Sequence, residues 1–222
     1  MPLTFAPLCT FGEKAIDFRL PGTDGRTWSM QDCTGPNGLL VMFICNHCPY
    51  VTAINHKLVR DAKDLRALGV HCVAIMSNDE QYYAEDSWEN MRAVAEAMAY
   101  PFPYLYDETQ DVARSYGAVC TPDFFGYNRD LELQYRGRLD ASGARTDAGV
   151  VKRELYLAMK QVAETGKGPE HQIASMGCSI KWRTSNVLYG RARKLLRRWD
   201  RLFTPWVLMR RAWSVKVARW KQ

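Results

Sequence analysis

An α/β fold built on a mixed sheet is what the sequence predicts, on three observations. The runs Leu39–Ile44 and Val70–Met76 are apolar almost without interruption, the mark of strands buried on both faces. Between them Leu58, Val59, Ala62, Leu65 and Leu68 recur at helical spacing, and Gly69 supplies a stop. Further on, Phe124–Tyr127 turns through Asn128-Arg129-Asp130 into the alternating segment Leu131–Tyr135, an antiparallel hairpin at a sheet edge. Strands alternating with helices, then a closing hairpin and helix, give a sheet with both parallel and antiparallel neighbours.

The elements follow in chain order. Ala15–Leu20 alternates apolar and polar residues, and Pro21–Gly25 turns the chain towards Thr27-Trp28, a hairpin signature. After the central strand comes the helix over Asn55 to Leu68, then the second buried strand. Ser87 caps a helix from Trp88 to about Ala99 whose inner face carries Trp88, Met91, Ala95 and Met98, with Pro101 and Pro103 beyond its end. Tyr104–Tyr106 is a short strand and Thr109–Tyr116 a short helix stopped by Gly117. A last helix spans about Val150 to Thr165, ended by Gly166-Lys167-Gly168-Pro169. No internal repeat interrupts this order.

At 222 residues the chain holds one sizeable core, and its composition is that of a soluble globular protein. The expected division is a domain over residues 1–182 and a helical extension over 183–222. Charge supports the split: of 30 Lys and Arg, 13 fall within residues 181–222 beside the single acid Asp200, so that segment carries about +12 and the rest about −6. Seven cysteines is an odd number, and Cys9, Cys33, Cys72, Cys120 and Cys178 are scattered, which fits a reduced compartment with one special pair. Met1–Cys9 lacks the basic start and apolar core of a secretory signal, and no stretch reaches a membrane span. A cytoplasmic location is the expectation.

That special pair is Cys45-Asn46-His47-Cys48, where a buried strand hands over to a helical pattern. Unpaired N–H groups at a helix start favour a thiolate, and the i, i+3 spacing brings both sulfurs within reach of a disulfide. Cys45 is expected as the exposed, attacking thiolate and Cys48 as the resolving thiol one turn deeper. Structural zinc or two inert thiols are the alternatives; zinc needs four ligands, and no second Cys-x-x-Cys or close His pair supplies them. His47, as an imidazolium, would lower the Cys45 pKa; the plainer reading is a solvent-facing side chain. Pro49 suits a first helical turn.

The hairpin with Asp17–Pro21 and Asp24-Gly25, the strand-borne Cys-x-x-Cys and the later Thr121-Pro122 resemble the thioredoxin superfamily, within it the peroxiredoxin-like branch grouped with alkyl hydroperoxide reductase and thiol-specific antioxidant proteins. Phe43–Val51, Cys120–Phe125 and Gly177–Trp182 carry the similarity, which covers roughly residues 10 to 182. It implies a three-layer α/β/α sandwich, a cis peptide before Pro122, and a Thr121 that offers backbone hydrogen bonds to a substrate thiol. It also implies a thiol–disulfide oxidoreductase in redox maintenance, with no metal or organic cofactor and a protein or small-molecule thiol as partner.

A thiol peroxidase acting on hydroperoxides through Cys45 is the rival. The Pro-x-x-x-Thr-x-x-Cys pattern of such enzymes is absent, Met42-Phe43-Ile44 standing before the cysteine, and nothing in the sequence ties Arg136 or Arg138 to the site. A non-enzymatic redox adaptor is a third reading. Cys120 reads as a small buried hydrophobe rather than an extra thiol near Cys45, and Cys178, just before the tail, has a distant resolving thiol as its open role. In the tail, Leu188, Ala192, Leu195, Trp199 and Phe203 share a helical face against Arg and Lys, and Trp199, Trp206, Trp213 and Trp220 repeat every seven residues. Residues 184–222 suit an anionic membrane surface, docking on the domain or on a second copy; nucleic acid is the least supported partner, since no recognised module accompanies the charge. The oligomeric state is open.

Overall fold

A computed structural model describes residues 3–81, 83–145 and 151–183. The chain divides into Met1–Trp182 and Arg183–Gln222, and the helices expected in the basic tail fall on residues 184–222, outside the described residues. In chain order the elements are β1 (Leu3–Phe5), β2 (Arg19–Pro21), β3 (Thr27–Ser29), α1 (Met30–Cys33), β4 (Gly38–Phe43), α2 (Pro49–Thr52), α3 (Asn55–Ala67) and β5 (Val70–Met76). A 3₁₀ turn over Ala84–Asp86 follows, then α4 (Trp88–Ala97), β6 (Tyr104–Tyr106), α5 (Asp111–Ser115), β7 (Cys120–Thr121), β8 (Asp123–Tyr127), β9 (Leu133–Tyr135), α6 (Glu154–Thr165) and β10 (Met176–Ser179). Among the described residues no helix is long and apolar enough to cross a membrane.

The main sheet runs β6-β5-β4-β8-β9. β4 pairs parallel with β5 and antiparallel with β8, so the expected mixed sheet is present and β4 lies at its centre. All six residues of β4 are buried because both faces are covered. Side chains alternate across the sheet. Leu40, Met42, Ala74, Met76 and Phe124 meet Leu58, Ala62 and Leu65 of α3 and Leu155, Met159 and Val162 of α6. Leu39, Val41, Phe43, Ile75 and Phe125 meet Phe18, Cys33, Ala113 and Tyr116 on the other side. The result is a three-layer sandwich, each fully buried Leu, Ile or Phe contributing about 1.5–3 kcal/mol.

Two differences from the sequence expectation matter. α6 begins at Glu154, after Arg153, whose guanidinium pairs with Asp61 and Asp64 of α3 and stacks over Tyr156. A second sheet, β1-β10-β7, was not foreseen because its strands are only two to four residues long. It positions the site: β10 pairs with β7 so that Cys178 lies opposite Thr121.

Candidate functional site

β4 aims the chain at the site. Phe43 is its last residue, and Ile44 still donates its N–H to the Ile75 carbonyl at 3.1 Å. Cys45, Asn46 and His47 then form a loop, and Cys48 caps the single-turn α2, its carbonyl accepting the N–H groups of Val51 and Thr52 at 2.9 Å. Pro49 occupies the first turn, where a missing N–H costs nothing. The two sulfurs therefore do not share one helical turn: Cys48 alone sits at a helix start.

The strand register brings Thr121 to them. Phe43 lies opposite Asp123, so the residues before Asp123 run past the end of β4. The Thr121–Pro122 peptide is cis. The Cys45 Sγ lies 3.3 Å from the Thr121 hydroxyl, and the Cys48 thiol donates to the Thr121 carbonyl at 3.1 Å. Cys45 is 1 % exposed and Cys48 0 %, so the expected exposure of Cys45 is not found. Thr121 at the end of β7 and Asp86 in the 3₁₀ turn close over this stretch.

His47 is not solvent-facing. Its side chain is 4 % exposed, its ring stacks on Tyr83 with centroids 3.9 Å apart, and Nδ1 lies 2.5 Å from the Asp86 carboxylate. One Asp86 oxygen accepts the N–H groups of Asn46 (2.8 Å) and His47 (3.3 Å); the other accepts His47 Nδ1 and the Asn78 amide (2.9 Å). Burial opposes the carboxylate, yet these hydrogen bonds win and hold its pKa below the usual value. Asp86 was missed by sequence reasoning, and no spacing rule would have found it, since its partners lie 8 to 40 residues away. The His47 Nε2 is buried without a hydrogen-bond partner.

A ring nitrogen of His47, the Cys45 Sγ and an Asp86 oxygen lie within 4.8 Å of one another, a three-donor group of a kind that can hold a metal ion. Both Asp86 oxygens already accept two hydrogen bonds each, so ligation would break that network. The donor set suits a charge-stabilising triad better than a cation site.

The two thiols titrate as a pair. Burial, a hydrogen bond with Cys48 and the Asp86 charge raise Cys45 well above its ordinary value. The proton Cys45 offers is the main cause that lowers Cys48 to about 5, against the opposing effect of burial. Cys45 is thus the protonated partner at rest, reversing the expected order of acidities. A Cys48 thiolate faces the Thr121 carbonyl, so that 3.1 Å contact must lengthen when the pair ionises. Elsewhere burial, reinforced by the nearby Asp32 and Asp61 charges, pushes Cys33 and Cys72 up to about 12, leaving inert thiols. Cys120 contacts the Pro122 carbonyl at 3.6 Å and is likewise held protonated by burial.

Arg136 and Arg138 are committed elsewhere. Arg136 pairs with buried Asp123 at 3.1 Å and stacks over Phe125, and Arg138 forks onto Glu154. A hollow of about 30 Å³ borders Pro122, Tyr50 and Ile54. A larger one of about 490 Å³, near Trp28 and Tyr104, has no cysteine in its lining.

None of the curated proteins matches the chain. Among solved structures it is similar to an uncharacterised conserved protein from Geobacillus kaustophilus, with 46 % identity over 83 % of this chain and 98 % of that one and a TM-score of 0.79. A hypothetical protein from Sinorhizobium meliloti 1021 shares 38 % identity over 82 % of this chain and 100 % of its own, with a TM-score of 0.77. The thioredoxin domain of a thiol-disulfide oxidoreductase from Bacteroides vulgatus shares the fold at 15 % identity and a TM-score of 0.54, covering 69 % of this chain and 98 % of its own. The family model for AhpC/TSA matches residues 11–156. With a thioredoxin-like sandwich and a thiol pair at the end of its central strand, the chain belongs to the AhpC/TSA family of thiol-based redox proteins.

Proposed function

We propose that the protein is a thiol–disulfide oxidoreductase whose Cys45 and Cys48 alternate between dithiol and disulfide. The observation that carries the reading is the pair of neighbouring sulfurs that both contact Thr121, beside a histidine clamped by a buried carboxylate. Passing the shared proton from Cys45 to Cys48 leaves a Cys45 thiolate, which a protonated His47 stabilises. That thiolate attacks a substrate disulfide, forming the Cys45–substrate bond and releasing one substrate thiolate. Cys48 then gives up its proton and attacks the Cys45 sulfur, releasing the second thiolate. The substrate gains two electrons and the protein ends with a Cys45–Cys48 disulfide; a dithiol partner reverses the sequence.

Hydroperoxide reduction is the competing reading, and one contact favours it: the Thr121 hydroxyl beside Cys45 is a group that could orient a peroxide oxygen. Against it, Arg136 and Arg138 are bound to carboxylates. Reduction of insulin disulfides by the reduced protein, with Cys45→Ser as control, tests the proposal; turnover that survives the substitution would remove Cys45 as nucleophile. Rapid mixing with hydrogen peroxide separates the readings, because only a peroxidase consumes the thiol on the millisecond-to-second scale at micromolar peroxide.

A further inference from the structure

Cys48 has a second sulfur neighbour. Cys178 lies on β10, the middle strand of the small sheet, directly opposite Thr121, whose carbonyl accepts the Cys48 thiol. Close approach is built into β10: the residue before Cys178 is Gly177, where a Cβ would fall 2.0 Å from the Thr121 carbonyl oxygen and 3.1 Å from the Pro122 nitrogen. Only a residue without a side chain lets this strand press against the loop that touches both site thiols. Cys178 is 4 % exposed and close enough to Cys48 for its backbone N–H and its thiol to act on the Cys48 charge, as the Cys45 thiol also does. Cys48 is thus the shared neighbour of two thiols.

We propose that Cys48 forms two mutually exclusive disulfides, with Cys45 and with Cys178, and that the second relays the oxidised state away from Cys45. The step is an internal exchange. Starting from the Cys45–Cys48 disulfide, Cys178 attacks the Cys48 sulfur; the Cys48–Cys178 bond forms, the Cys45–Cys48 bond breaks, and Cys45 leaves as the thiolate that takes up the proton Cys178 gave up. No external oxidant enters, and Cys45 is free to react again. Being intramolecular, the exchange needs no solvent access for Cys178. The relay rests on the oxidoreductase reading above.

The test maps disulfides in the full-length protein. Reduced wild type and Cys45→Ser are treated with diamide, quenched in acid, alkylated and digested for mass spectrometry. The relay predicts both the Cys45–Cys48 and Cys48–Cys178 pairs in oxidised wild type. It predicts that Cys45→Ser loses two of its six thiols to a Cys48–Cys178 cross-link. Wild type that forms only Cys45–Cys48, together with a Cys45→Ser protein that keeps all six thiols or links Cys48 to Cys120, overturns the relay and leaves the oxidoreductase reading standing. Wild type that forms neither pair overturns both. Because the wild-type map needs no variant to fold, the proposal does not depend on the stability of Cys45→Ser.

Discussion

Asp86→Asn removes one charge and one acceptor from a carboxylate that carries four hydrogen bonds, and the consequence can be worked through atom by atom. The asparagine has a single oxygen. If that oxygen keeps the Asn46 and His47 backbone N–H groups, its amide faces His47 Nδ1 and the Asn78 amide. His47 can answer by changing tautomer, so that Nδ1 accepts. Asn78 cannot answer by flipping, because its oxygen accepts the Lys181 N–H at 2.9 Å. The other orientation strands two backbone N–H groups. At least one buried donor therefore loses its partner, at about 1–3 kcal/mol, with the charge assistance lost in addition. A loss of about 2–3 kcal/mol follows, which at a urea slope of about 2 kcal/mol/M lowers the midpoint by about 1–1.5 M. The pH dependence has a definite sign. Asp86 is more acidic folded than unfolded, so its stabilisation is present above the ordinary carboxylate pKa and fades as pH falls through the lower folded value. The variant lacks that acid-side loss. A midpoint within about 0.2 M of wild type at pH 7 would refute the buried-acceptor role argued for Asp86.

The reduced protein should gain thiolate absorbance near 240 nm with a midpoint around pH 5, and Cys45→Ala, which removes the donor to Cys48, should move that midpoint upward; the same ionisation makes the reduced form lose stability as pH falls towards about 5. Gly177→Ala forces a Cβ into the Thr121 carbonyl and should cost about 3 kcal/mol, seen as a melting point lower by about 6–12 °C, whereas an unchanged melt would mean the strands are not in close contact. Arg136→Met leaves Asp123 buried without its partner. Burial raises the Asp123 carboxyl to about 6 despite Arg136, so stability already falls as pH rises from about 4 through 6, and the variant should continue that fall to higher pH, losing about 3–5 kcal/mol at pH 8 and less at pH 5 by urea titration.

The elements with long periodic or apolar signals were legible in the residues. β4, β5 and α3 fall within a residue or two of their expected bounds, because a strand covered on both faces and a helix of more than three turns leave unmistakable patterns. The hairpin of β8 and β9 at the sheet edge was equally plain. What sequence could not show was the second sheet. Met176-Gly177-Cys178-Ser179 has the composition of a loop, and it is a strand only because β1 and β7 flank it. The site divides the same way. Cys45, His47 and Cys48 announce themselves by spacing, whereas Asp86 and the approach of Cys178 arise from tertiary packing. The error about exposure has that origin too: a helix start is open to water only if no other segment covers it, and here the Thr121 and Asp86 loops do.

Those covering loops also decide which sulfur organises the chemistry. A negative charge on Cys45 would face the Asp86 carboxylate, while a charge on Cys48 is met by two thiols, a backbone N–H and the start of α2. The resting negative charge therefore gathers on Cys48, and in the proposed reaction Cys45 becomes nucleophilic only when its proton crosses to Cys48. In the proposed oxidoreductase the attacking sulfur is held in reserve, and Cys48, protonated while Cys45 attacks, gives that proton up before it closes the disulfide on a captured substrate.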